Sequence, residues 1–169
     1  MADPFFASQD NLTRALFRNV ANLSDIKRFV TAASLPFCLL KPKYIVDPFQ
    51  LSVAITKAIY NQKEGTMKTN NLQSEIIYCL SPSKNISYSL KTFISDDGDT
   101  EILIVGNEKL FHTIRTAIKG EEIPLEQIAK FTNQEAVLEI YDIDSSELMN
   151  STLLNAVISR ISSKDYTSS

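Results

Sequence analysis

Asp47-Pro48-Phe49-Gln50-Leu51-Ser52-Val53-Ala54-Ile55-Thr56-Lys57-Ala58-Ile59-Tyr60-Asn61-Gln62-Lys63-Glu64-Gly65 is the clearest helix in the chain. Aspartate suits the N-cap because its side-chain oxygen accepts from an orphan N–H, and proline suits the position after it. The helix therefore spans about 48–63 and ends near Gly65, where glycine tolerates a left-handed backbone. Leu51, Ala54, Ile55, Ala58 and Ile59 fall on one face, and Phe49, Val53, Thr56 and Tyr60 on a second. A helix apolar on two faces is either central to the fold or covered by a partner.

Upstream, Ser24 is the expected cap of a helix to about Ala33, with Ile26, Phe29, Val30 and Ala33 on one stripe. Phe37–Leu40 is a short apolar run stopped by Lys41-Pro42 and reads as a strand, whereas residues 11–20 fit neither period. Downstream, residues 73–80 read as a strand because they are rich in β-branched and aromatic types before Ser81-Pro82. Ser83 or Asn85 caps a helix through about Phe93, Asp96-Asp97-Gly98-Asp99 is a turn, and 101–105 is a buried strand. Helical patterns follow over about 108–118, 124–130, 133–141 and 148–162, and residues 164–169 read as a frayed polar tail. The expectation is an α+β (mixed α/β) protein: about four strands in one sheet, covered by helices, with a helical C-terminal half. All 169 residues form one domain, with an ordered core over about 11–163.

Composition narrows the function. Seventeen Lys+Arg against twenty Asp+Glu give a net charge of −3, so bulk positive charge cannot hold this chain on nucleic acid and only a local patch can. The four glycines, Gly65, Gly98, Gly106 and Gly120, stand alone, and neither of the two common phosphate-cradling loops can be written. Cys38 and Cys79 lie inside apolar runs without metal-ligand spacing and read as buried free thiols in a reducing compartment. No run approaches 18 apolar residues and the first residues lack a basic leader pattern, so the chain is expected to be soluble and intracellular, away from membranes. Asp96–Asp99 departs from calcium-loop spacing, and His112 is the one histidine. The expectation is a chain with no catalytic residues, no metal and no cofactor. A small enzyme of unknown type built around His112 and nearby carboxylates is the alternative, as is an interaction domain without RNA binding.

Two patterns suggest binding. Lys57, Lys63, Lys68, Lys84 and Lys91 alternate with Tyr60, Tyr78 and Tyr88, the mixture that holds the backbone and stacks the bases of a single strand. A solvated face with tyrosines finishing the core gives the same pattern. Leu153, Leu154, Val157, Ile158 and Ile161 form a stripe on the last helix that suits either core packing or a partner's groove.

The strings Ile45-Val46-Asp47-Pro48-Phe49-Gln50, Met67-Lys68-Thr69 and Ser74-Glu75-x-x-x-x-Leu80-Ser81-Pro82-x-x-Asn85-Ile86-Ser87, with the stretch from Leu153 to Asp165, carry a resemblance. Over about Leu12 to Asp165 the chain closely resembles the PRPK-binding proteins, the small accessory subunits of KEOPS (EKC) complexes, in an animal-type form. The resemblance implies a non-catalytic subunit, cytoplasmic and nuclear, that docks on the amino-terminal lobe of a small atypical kinase-like ATPase, PRPK, and contacts the other KEOPS subunits, including the threonylcarbamoyl transferase, indirectly. It implies help in recruiting tRNA by the 3′ CCA end for threonylcarbamoyl-adenosine formation beside the anticodon. It also makes residues 11–20 a strand. The kinase is then expected on Leu153, Leu154, Val157, Ile158 and Ile161. The tRNA end is expected on Lys57, Tyr60, Lys63, Lys68, Asn70, Lys84 and Asn85, with Asn70 standing where members usually carry a basic residue.

Overall fold

The computed structural model describes residues 12–167. Its sheet contains β1 (Leu12–Arg18), β2 (Phe37–Leu40), β3 (Ile102–Asn107) and β4 (Glu121–Ile123), in the order β2-β3-β1-β4. All three pairings are antiparallel, with Leu16 opposite Leu103 on one side and Ile123 on the other. Seven α-helices surround it among the described residues: α1 (Leu23–Ala32), α2 (Pro48–Glu64), α3 (Leu72–Leu80), α4 (Ile86–Phe93), α5 (Glu108–Ala117), α6 (Gln134–Ile140) and α7 (Leu153–Ser163).

Side chains alternate between the two faces of a strand, so each strand feeds two cores. Leu16, Cys38, Leu40, Leu103, Val105 and Ile123 meet the buried faces of α2, α3, α6 and α7. Their neighbours Ala15, Phe17, Phe37, Leu39, Ile102 and Ile104 point the other way, onto α1 and α5 through Leu23, Ile26, Phe111 and Ile114. Across the β2–β3 pair the Phe37 ring lies over Gly106, where a Cβ would stand 1.9 Å from it. Glycine is needed there because the ring occupies the space.

The α+β class, the strand at 12–18 and the central helix agree with the sequence. In α2, Asp47 accepts from Phe49 N at 2.8 Å, Pro48 is first, and Gly65 closes the helix at φ 70°. Leu51, Ala54, Ile55, Ala58 and Ile59 are all buried. Asn85, of the two candidates, caps α4 through Tyr88 N.

Four expectations need correction. Residues 73–80 are helix, not strand. Asn71 accepts from Ser74 N at 2.8 Å to start α3, and Glu75 through Leu80 are all buried. A short apolar run covered on every side carries no period to read. The fourth strand is β4, three residues whose Glu121 forks with Arg18 at 2.9 Å. α1 starts from Asn22 rather than Ser24, with the Asn22 side chain spent instead on Ala117 O and Lys119 N. The 148–162 pattern divides into a tight turn over Ser145–Met149 and α7, which Thr152 caps.

The tail expectation also fails where the structure describes it. Residues 164–166 form a 3₁₀ turn, and Lys164 is 2% exposed. Its ammonium donates to the Tyr78 carbonyl and lies 3.3 Å from the Tyr78 ring centroid. Residues 168 and 169, and 11 at the other end, lie outside the described residues.

Candidate functional site

The loop between α2 and α3 carries Lys68 and Asn70, and a buried acid shapes it. Glu75 is 0% exposed, and its Oε1 accepts from Lys68 N at 3.0 Å, Thr69 N at 3.1 Å and Thr69 Oγ1 at 2.8 Å. Asn61 Nδ2, from α2, donates to the other oxygen at 3.0 Å. Four donors converging on one carboxyl group fix a loop that has no secondary structure of its own. Glu75 stood in the sequence inside a specific string, yet as one acid among twenty its role had no spacing signature.

Beside this loop lies an open cleft of about 380 Å³ lined by Asn61, Thr66, Lys68, Tyr78, Lys84 and Asp165. It joins the C-terminal part of α2, the Glu75 loop, α3, the entry to α4 and the turn after α7. Lys68 and Lys84, far apart in sequence, are brought together here. Lys57 does not line the cleft but is tied to Asp165, which does. Its Nζ donates to Ile161 O at 2.7 Å and pairs with Asp165 at 3.3 Å. Lys84 donates to Thr167 O. Asn70 is exposed on the Glu75 loop, and Lys63 and Tyr60 are exposed on α2, with Tyr60 at 57%. Asn85 spends its side-chain oxygen on the α4 cap. Tyr88 and Lys91 line a different cleft, with Tyr44 and Glu139.

The stripe on α7 divides. Val157 and Ile161 are 0% exposed and Leu153 packs against the same core. Leu154 and Ile158 are left half-buried. α2 and α7 ascend together, because Lys57 meets Ile161 and Asp165 while Asp165 shares the cleft with Asn61, one turn further along α2. Leu154 and Ile158 thus lie toward the same end of the helix pair as Phe49, 56% exposed, and the half-buried Val53.

The histidine of the alternative reading stands apart from both surfaces. His112 is exposed on α5, which packs on the opposite face of the sheet from α2, α3 and α7. Among the described residues no three His, Cys, Asp or Glu side chains are placed to hold a metal ion, and no helix is long and apolar enough to cross a membrane. Cys38 and Cys79 are free and buried, and desolvation pushes both thiols up to about 12. Asp96, Asp97 and Asp99 pair with Lys41 and Lys27.

Residues 17–165 match the family described as kinase binding protein CGI-121. The chain belongs to the CGI-121 family. The EKC/KEOPS complex subunit TPRKB of Danio rerio is 34% identical over 159 residues, covering 91% of each chain. The EKC/KEOPS complex subunit CGI121 of Candida glabrata is 31% identical over 145 residues, covering 80% of this chain and 81% of that one. Its counterpart in Kluyveromyces lactis is 37% identical over 114 residues, 64% of this chain and 71% of that one. The CGI-121 match takes in β2, β3, β4, the Glu75 loop and α7, so both candidate surfaces lie inside it.

Proposed function

We propose that this CGI-121 family chain is a non-catalytic subunit of a KEOPS (EKC) complex, working in cytoplasm and nucleus. Its partly covered α7 residues Leu154 and Ile158 dock a PRPK-type kinase, and through that kinase it joins the other subunits, including the threonylcarbamoyl transferase. Its Lys68–Lys84 cleft receives the 3′ CCA end of tRNA. The observation that carries this reading is the division of the α7 stripe: the core takes Val157 and Ile161 completely and leaves Leu154 and Ile158, like Leu153, only partly covered. On a small domain such partly covered side chains, toward the same end of the helix pair as the exposed Phe49, suit the apolar centre of a protein interface. The cleft supports the RNA part, since the ammonium groups of Lys68 and Lys84 on one open cleft suit the phosphates of a single strand.

Purification of the tagged chain from cells, followed by mass spectrometry, tests the proposal. A KEOPS kinase and transferase should co-purify, and the Ile158→Asp form should lose both together. Recovery of neither with the unaltered chain contradicts it.

A further inference from the structure

The turn that follows α7 has an anchor and an exposed remainder. Lys164 is buried against Tyr78, but beyond it Asp165 is half-exposed, Tyr166 is 89% exposed and Thr167 is exposed. What holds this remainder to the body of the protein is lysine. Lys57 pairs with the Asp165 carboxylate at 3.3 Å, and Lys84 donates to the Thr167 carbonyl. Asp165 also lines the cleft that contains Lys68 and Lys84. A carboxylate and a backbone carbonyl of the chain itself therefore occupy donors that a phosphate would use.

We propose that residues 165–167 form an autoinhibitory latch, with the Asp165 carboxylate standing in for an RNA phosphate at Lys57 and the Thr167 carbonyl occupying Lys84. This rests on the reading of the cleft as an RNA site. RNA entering the cleft displaces the latch, while Lys164 keeps the end of α7 in place. Release is cheap because the Lys57–Asp165 pair is partly solvated and Tyr166 buries almost nothing. The latch thus sets a threshold: a ligand offering one charge is matched by Asp165, and a strand offering several phosphates outcompetes it.

The opposite role for Asp165, holding Lys57 in place for RNA, makes the opposite prediction. Binding of a tRNA transcript and its CCA-trimmed form is measured for wild type, Asp165→Asn and Asp165→Glu at two salt concentrations, with thermal unfolding to check the fold. Asp165→Asn should bind intact tRNA about threefold to tenfold tighter. Its salt slope should steepen by about 0.7, the value of one more phosphate contact on a single strand. Asp165→Glu, which keeps the charge, should stay close to wild type. Amide exchange at Asp165–Thr167 in the wild type should quicken when tRNA is added. Equal or weaker binding by Asp165→Asn, with CCA-dependent binding by wild type intact, overturns the latch and leaves the RNA site standing. No binding by any form overturns both.

Discussion

Glu75, fully buried in the first turn of α3, accepts the backbone N–H of Lys68 at 3.0 Å from a loop seven residues earlier. The position of Lys68 in the cleft therefore depends on a carboxyl group sealed from solvent. Removing it leaves Lys68 N, Thr69 N, Thr69 Oγ1 and Asn61 Nδ2 without this acceptor. Glu75→Ala should cost about 3 kcal/mol of unfolding free energy, since charge-assisted bonds are lost and donors left unpaired. It should also speed amide exchange at Lys68 and Thr69. Urea unfolding and hydrogen exchange check this; an unchanged midpoint and unchanged loop exchange contradict it.

The charges in the loop come next. With Lys68 exposed on it and Asn70 two residues on, Lys68→Ala should weaken tRNA binding by one phosphate contact, about 0.7 in salt slope. Asn70→Arg should tighten binding by adding a guanidinium that forks onto phosphate. Trimming the CCA end should weaken binding more than altering the anticodon. Equal affinity for intact and trimmed tRNA in all forms contradicts the assignment of the cleft to the tRNA tail.

Lys164 gives a pH signature. Burial is the leading cause that lowers its pKa from 10.5 to about 8, against the smaller raising effects of Cys79, Asp165 and Glu75, while Lys57 also lowers it. Because the folded value lies below the unfolded one, the unfolded chain binds more protons between them, and this lysine's penalty on folding shrinks as pH rises through that window. Below pH 8 the penalty is complete. Buried thiols act in the opposite sense above pH 9, so the lysine is isolated by comparison with Lys164→Met. Wild type should gain about 2 kcal/mol on that variant between pH 7.5 and 9.5. Denaturant unfolding of both proteins at the two pH values measures it, and a constant difference contradicts it.

The two cysteines give a simpler check. With their thiols buried and pushed up to about 12, neither Cys38 nor Cys79 presents a thiolate at neutral pH. Native protein should leave an aromatic disulfide reagent unreacted for as long as it stays folded, and two thiols should titrate on denaturation. A fast-reacting thiol in the native state contradicts the burial.

Legibility in the sequence followed the strength of local signals. α2 was readable because Asp47, Pro48 and Gly65 each do at its ends what their side chains favour. α3 was not, since Ile76-Ile77-Tyr78-Cys79-Leu80 has the composition of a strand and its cap, Asn71, resembles any loop asparagine. β4 was missed because three residues with two exposed glutamates carry no apolar pattern, and the pairing with β1 shows only in the fold. Lys164 read as tail because lysine is seldom buried, and nothing local announced the Tyr78 carbonyl that receives it. Of the site, the lysines were visible as residue types. Their convergence was not, since Lys68, Lys84 and Asp165 meet only through tertiary packing.

The docking claim meets its most direct test on α7, where four positions of one stripe separate packing from binding. Leu154→Glu and Ile158→Asp place charge on half-buried positions at the surface, whereas Val157→Asp and Ile161→Asp place it in the core. The measurement is co-purification of the kinase with each variant, alongside circular dichroism and thermal unfolding. Leu154→Glu and Ile158→Asp should fold like wild type and lose the kinase, and Val157→Asp and Ile161→Asp should lose the fold itself. Folded Leu154→Glu and Ile158→Asp proteins that retain the kinase at wild-type levels contradict the account.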